Sequence, residues 1–152
     1  MPSTPRSFAL RLIKNRLRSC AEVDQALQKR GVEQQDREHV IEELTAAGLL
    51  DDTRLARAWV NDRDRFNPRG EMLLRLELKK KGISDSIIRE TLSNRREREE
   101  EPVDEFEQAK QVAEAREGLY RNLPFETKKR RLGNYLLRRG FSLGTVRRIL
   151  DA

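Results

Sequence analysis

Apolar residues recur along this chain at every third or fourth position, the spacing that places them on one face of an α-helix. Val23 and Leu27, Leu74 and Leu78, and Leu132 and Leu136 are such pairs. Strict apolar–polar alternation is missing, as are runs of Val, Ile and Thr, so no strand is predicted. One pattern occurs three times: an amphipathic helix, a basic pair, a glycine and an apolar residue. Its copies are residues 23–32 (VDQALQKRGV), 74–83 (LRLELKKKGI) and 132–141 (LGNYLLRRGF). Gly31, Gly82 and Gly140, spaced 51 and 58 residues apart, each fit the position just past a helix end, where positive φ is needed. The basic pair before each glycine complements the carbonyl end of the helix dipole. Contact with a ligand is the other reading of these pairs and stands on an equal footing.

A further helix follows each glycine, and another precedes each glycine-ended helix, at roughly 6–18, 52–66 and 104–120. Ser19 and Glu22 have capping-box spacing at the start of the second helix. Ser84 and Ser142 are placed to cap the sixth and ninth. Val40, Ile41 and Leu44 give the third its apolar face, and Gly48 ends it. Asp51 or Asp52 starts the fourth, with acid at its positive end. Asn67-Pro68-Arg69-Gly70 is a turn. The run Arg95 to Glu101, broken by Pro102, reads as a solvated helix extension or a linker. The sum is an all-α chain of nine helices in three tandem three-helix repeats, at 1–50, 51–101 and 102–152. Units of about 50 residues are marginal alone, so neighbours should share apolar surface. On the fifth helix Leu74 and Leu78 occupy one side and Met72, Leu73 and Leu76 others. Only Glu71, Arg75 and Lys79 form a polar stripe, which predicts a helix packed on more than one side.

Composition sharpens this picture. Of 152 residues, 38% are charged and 36% apolar, too little apolar bulk for one broad core. The net charge of +6 is uneven: −1 over residues 1–52, +4 over 53–94, −4 over 95–107 and +7 over 108–152. An anionic partner, nucleic acid or an acidic protein surface, fits the middle and C-terminal parts. One cysteine excludes an intrachain disulfide. No signal-like or membrane-length apolar run exists, so a soluble cytoplasmic protein is expected.

Enzymatic chemistry finds no support. There is no phosphate-binding glycine loop ending in Lys-Ser or Lys-Thr. With one Cys, Cys20, and one His, His39, a Cys/His zinc site within the chain is impossible, and a Cys/His nucleophile pair has no spacing to recommend it. His39 reads as an ordinary helix residue. Cys20 sits at a helix start, which could lower a thiol pKa, but packing explains it better. Asp51 and Asp52 are explained by helix initiation rather than metal binding, and Trp59, with Leu55 and Val60, by the core rather than a base-stacking platform. No cofactor is expected.

The lettering of these units resembles the regulatory protein RecX family over about residues 8–152. The resemblance is carried by Gly48-Leu49-Leu50-Asp51-Asp52-Thr53-Arg54-Leu55-Ala56-Arg57-Ala58-Trp59-Val60, followed by Leu74-x-x-Glu77-Leu78-x-x-Lys81-Gly82-Ile83. Arg16-x-x-Ser19-x-x-Glu22 fits as well. Val23 stands where Leu is usual, Arg18 where His is frequent, and Glu71 where Pro is common. The resemblance implies an elongated, curved modular molecule that binds the groove of the RecA–DNA filament. It further implies slowed filament extension and suppressed ATP hydrolysis and strand exchange, in DNA repair and the SOS response, by a monomer without catalysis. The other reading is a general nucleic-acid-binding helical repeat that sequesters single- or double-stranded DNA. Residues 77–90 read like a helix–turn–helix in its favour, but no helix carries the Arg, Asn and Gln set that reads bases.

The contact candidates are basic stripes: Arg11, Lys14 and Arg18 on the first helix, Arg75 and Lys79 on the fifth, and Arg131 with Arg138, flanking Asn134, on the eighth. Solvated faces are the bland account of the same residues. Arg16 falls within the apolar face of the first helix, so it is expected to be structural. Its guanidinium needs a carboxylate, from Glu22, Asp51 or Asp52; the other reading is that its stem lies on the apolar face while its head reaches water.

Overall fold

The computed structural model describes residues 3–100 and 102–152. Glu101, where the expected second repeat ends, lies outside them, as do Met1 and Pro2. Among the described residues there are nine α-helices and no strand. They are α1 Pro5–Asn15, α2 Cys20–Lys29, α3 Gln34–Ala46, α4 Asp52–Phe66, α5 Glu71–Lys80, α6 Asp85–Arg96, α7 Glu105–Glu117, α8 Phe125–Arg138 and α9 Leu143–Leu150. A short 3-10 turn, Gly118–Tyr120, extends α7. The chain forms two compact units. The first is Met1–Trp59 with Leu78–Ile88, and the second is Val60–Glu77 with Arg89–Ala152.

Helix ends follow local chemistry. Thr4 caps α1 ahead of Pro5 at its first turn, and Ser19 and Glu22 complete a capping box on α2. Asp51 Oδ1 accepts from the Arg54 amide at 3.1 Å, and Ser142 caps α9. Gly31, Gly48, Gly82 and Gly140 have φ of 82°, 75°, 79° and 91°. The first helix is shorter than the expected 6–18. It stops at Asn15 because Arg16 takes up extended backbone, freeing Ser19 to begin α2.

The first unit closes on Ala9, Val23, Leu27, Val40, Leu44 and Leu50. A joint between helix ends lies in the same unit. Ser19, fully buried, donates from its hydroxyl to the Lys81 carbonyl at the end of α5. Asp52 Oδ1 accepts from the Cys20 amide at 2.9 Å. The Lys81 ammonium lies 4.2 Å above the Trp59 ring and 3.9 Å from Glu22. A Cβ on Gly82 would overlap that of Ala21. Trp59 is therefore a half-buried shelf for Lys81, while Leu55 and Val60 are buried.

The second unit closes on Ala109, Val112, Ala113, Leu132, Leu136, Phe141 and Val146, with Tyr120 at its margin. It contains a joint of the same kind. The Gly70 amide donates to the Arg139 carbonyl at 2.8 Å, and the Met72 amide to the Gly140 carbonyl at 3.3 Å. Gly140 has room only for hydrogen beside Leu73, and Gly70 only for hydrogen beside Gly140. Arg139 folds back onto the turn, bonding the Asn67 side chain and, at 2.7 Å, the Pro68 carbonyl.

A buried ion pair lies nearby. Arg95, 2% exposed, grips Asp64 at 2.9–3.1 Å and reaches Gln108 Oε1 at 2.9 Å and the Arg69 carbonyl at 3.3 Å. This corrects the reading of Arg95 as the start of a solvated run. It lies in the last turn of α6, and helix is absent from residues 97–100 and 102–104 that follow. The fifth helix also differs from expectation. Leu74 and Leu78 are buried and Leu73 meets Gly140, but Met72 and Leu76 are 66% and 51% exposed. The packed sides of α5 leave one side open, and those two residues occupy it.

Two stability predictions follow from this packing. Gly31→Ala meets no neighbour and strains only the left-handed backbone, an expected loss of about 1–2 kcal/mol. Gly82→Ala and Gly140→Ala add a steric overlap and should lose distinctly more in urea titrations. Arg95→Leu, which strands Asp64, should cost about 3–5 kcal/mol, and Arg95→Leu with Asp64→Leu should recover much of it. Additive losses in the double variant would show that the pair does not act as one.

Candidate functional site

No helix among the described residues is long and apolar enough to cross a membrane, and no three His, Cys, Asp or Glu side chains are grouped to hold a metal. What remains is surface charge, and the fold divides it into committed and uncommitted cations.

The last residue before each repeated glycine is committed. Lys81 and Arg139 seal the two joints, and Arg30 lies 4.2 Å over the Phe8 ring. The preceding residues, Lys29, Lys80 and Arg138, are exposed. The basic pairs therefore have a split character that neither reading of them foresaw.

Of the expected stripes, Arg131 and Arg138 are both exposed on α8, two turns or about 10 Å apart, with exposed Asn134 between them. Neither arginine has an ion pair or hydrogen bond with a described residue. Arg75 is exposed and equally unpaired. Lys79, one turn further along α5, makes a 3.8 Å contact with Asp85, both side chains being more than 60% exposed. Such a pair is weak and readily exchanged for another anion. Exposed Met72 and Leu76 share this side of α5, so the stripe is mixed rather than purely cationic.

The first-helix stripe is not continuous. Arg11 and Lys14 are exposed on α1, but Arg18 lies beyond its end, half-buried, with its Nε shielded from water. The geometry removes it from the row because the helix ends at Asn15. Arg16 pairs with Glu22 as expected, its guanidinium 3.5 Å away, but its side chain is 57% exposed rather than embedded in an apolar face. His39 is exposed and pairs with Glu43 at 2.9 Å.

One exposed row escaped the sequence reading. Arg54, Arg57, Asn61 and Arg65 stand on the outer side of α4. Their spacing of three, four and four residues is a helical signal in its own right. It was masked by Asp62 and Asp64 in the same stretch, of which Asp64 turns inward to Arg95.

Cys20 is no activated thiol. Its pKa is raised, first by burial and then by the Asp52 carboxylate, against a weak contact with Thr45 Oγ1 at 3.9 Å. The helix N-terminus does not reverse this, because Asp52 already holds the Cys20 amide.

Three family models match the chain in order: the first three-helix domain of RecX over residues 6–44, the second over 51–92 and the third over 103–150. Curated relatives called regulatory protein RecX include one from Prosthecochloris aestuarii, 32% identical over 86% of this chain and 80% of its own. Another, from Mycolicibacterium smegmatis, is 33% identical over 90% of this chain and 72% of its own. The crystal structure of RecX from Lactobacillus salivarius superposes with a TM-score of 0.80 over 97% of this chain and 92% of that one, at 23% identity. That likeness bears on the fold, including the all-α architecture of three-helix domains.

Cys20 gives a direct chemical test of the first unit. Alkylation at neutral pH should be slower than for a free thiol and should accelerate only above the ordinary thiol range. Asp52→Asn removes the second cause of the raised pKa and should speed the reaction at fixed pH. A fast, Asp52-independent reaction would contradict the geometry.

Proposed function

The chain belongs to the RecX family of regulatory proteins, and from that premise we propose that it is a modulator, mainly negative, of the RecA recombinase. It binds in the groove of the RecA–DNA filament across adjacent subunits. It restrains filament extension, ATP hydrolysis and strand exchange in DNA repair and the SOS response, without chemistry of its own. In this reading the chain works as three successive three-helix repeats, 1–50, 51–101 and 102–152.

The observation that best supports this is the set of uncommitted cations on α5 and α8. Arg75, Arg131 and Arg138 are exposed and without partners among the described residues, on helices whose other sides are buried. Arg11 and Lys14 of α1 and Lys79 of α5 extend the set. Complementary anionic groups on a filament would gain these charges at small desolvation cost, and the contact would be salt-sensitive. Met72 and Leu76 beside Arg75 favour a protein surface over bare phosphates, since apolar side chains gain nothing from a phosphate backbone.

The second reading, DNA sequestration, draws on the α5–Gly82-Ile83-Ser84–α6 arrangement and on the same cations. The decisive measurement is RecA ATPase with DNA in saturating excess. Inhibition that persists there supports filament contact, and inhibition that vanishes as DNA is added supports sequestration. Reversing Arg75, Lys79, Arg131 and Arg138 to Glu should raise the inhibitory concentration at least about tenfold, or about 1.4 kcal/mol, with helicity unchanged. Unaltered inhibition, or an affinity indifferent to salt, would place the contact on other residues.

A further inference from the structure

We propose that a groove in the second unit docks an acidic peptide segment through one large apolar side chain. This site is separate from the basic stripes and does not depend on the RecA reading. The groove lies between the end of α4 with its following turn, α7 with its 3-10 extension, and α8, and its volume is about 310 Å³. That is the low end of ligand-site volumes and suits a single large side chain.

Its walls are mostly apolar and open, with Asn67 and Gln111 as neutral polar members. Phe66 and Leu119 are 80% and 68% exposed, and Pro68, Val112 and Ala115 line the groove with them. Two large exposed apolar side chains that line one depression mark it as a candidate binding groove. Phe66 ends α4 and Leu119 lies in the 3-10 turn, and neither belongs to the unit's core cluster, unlike Tyr120 of the same turn.

The charge on the groove fixes the partner's sign. No carboxylate lines it, and two guanidiniums do, those of Arg116 and Arg139. Both have only neutral partners among the described residues. Arg116 lies 4.4 Å over the Tyr135 ring, with its Nε 3.5 Å from the Tyr120 hydroxyl. Arg139 bonds the Asn67 side chain and the Pro68 carbonyl. These contacts hold both cations in place without neutralising them, so a carboxylate arriving at the groove meets preorganised, unsatisfied positive charge.

Among the lining residues a nucleic-acid base would have the exposed Phe66 ring alone to stack on, because the Tyr135 ring already carries Arg116. Pro68, Val112, Ala115 and Leu119 offer it only aliphatic surface. A peptide with a Trp or Leu flanked by Asp or Glu satisfies both walls and cations.

The test uses the full chain and a fluorescein-labelled peptide of twelve residues, all Glu and Asp except one central Trp, followed by anisotropy. Three competitors are run beside it: the same peptide with Ser for Trp, a Lys-rich version with the Trp, and an oligothymidine. The acidic Trp peptide should bind, and Phe66→Ser and Leu119→Ser should each weaken it about tenfold. Both residues are exposed, so circular dichroism should be unchanged. Arg116→Gln should weaken the acidic peptide and leave the Lys-rich one unaffected. Equal binding of the Ser peptide, indifference to Phe66→Ser and Leu119→Ser, no binding at millimolar peptide, or an oligothymidine response lost in these variants while the peptide does not bind would each overturn the proposal.

Discussion

The fold rests on a close approach of helix ends. In each unit the N-terminal turn of one helix meets the C-terminal turn of another, and donors of the first satisfy carbonyls of the second. Ser19 hydroxyl to Lys81 carbonyl is one such bond, and Gly70 amide to Arg139 carbonyl is the other. A helix end buried without partners is costly, because its last carbonyls have nowhere to turn. The joint solves this for both helices at once and sets their dipoles head to tail. It also dictates the local sequence. The receiving end must be glycine, since a Cβ on Gly82 or Gly140 would strike its neighbour as well as strain the backbone. The arriving end is small at Ala21 against Gly82 and at Gly70 against Gly140, while Leu73 meets Gly140 through its backbone and Cβ. Gly31 has the same φ without such a neighbour, which separates the capping role of glycine from its joint role.

A chain with 36% apolar residues cannot rely on apolar cores alone. Charges are drawn inside to supplement them. Asp64 takes Arg95, Arg98 and Gln108, and Glu77 takes Arg69 and lies 3.7 Å from Arg63. Glu105 accepts from Ser142 and Thr145 at 3.1 and 2.7 Å, tying the start of α7 to that of α9. Buried pairs of this kind contribute little net stability against well-packed apolar replacements. They penalise any arrangement that leaves one member without its partner. In small units with modest cores, that penalty selects one docking over others.

The sequence made the helices legible because each carries its own punctuation: Ser19 with Glu22, Ser142, and the three repeated glycines. Periodicity also placed Leu74, Leu78 and Leu136 inside. It misjudged residues whose environment is set by distant chain. Arg95 looked solvated because its neighbours Arg96, Glu97 and Arg98 are charged, and nothing local announces that Asp64 will lie beside it. Met72 and Leu76 looked buried because they are apolar, and helical angle cannot say which side of α5 finds a neighbour. Arg16 and Arg18 were misplaced by extending α1 through a segment that the Ser19 cap already claimed. The basic stripes were legible as candidates, but the outer row of α4 was hidden by Asp64, an acid that belongs to the interior.

The joints also explain which member of a basic pair the fold itself uses. In the second and third repeated helices the basic pair occupies successive positions about 100° apart, so one member faces the helix end that docks on the glycine and the other faces away. Lys81 and Arg139 are turned inward by this geometry, whereas Lys80 and Arg138 are turned out. Pair members with the same charge and almost the same sequence position therefore differ in what their loss would do. Removing the inward member opens a joint and acts on stability, and removing the outward one alters only surface potential. Any assignment of function to these basic residues has to separate the two, because an inward variant would weaken binding by loosening the fold, whatever surface the partner touches.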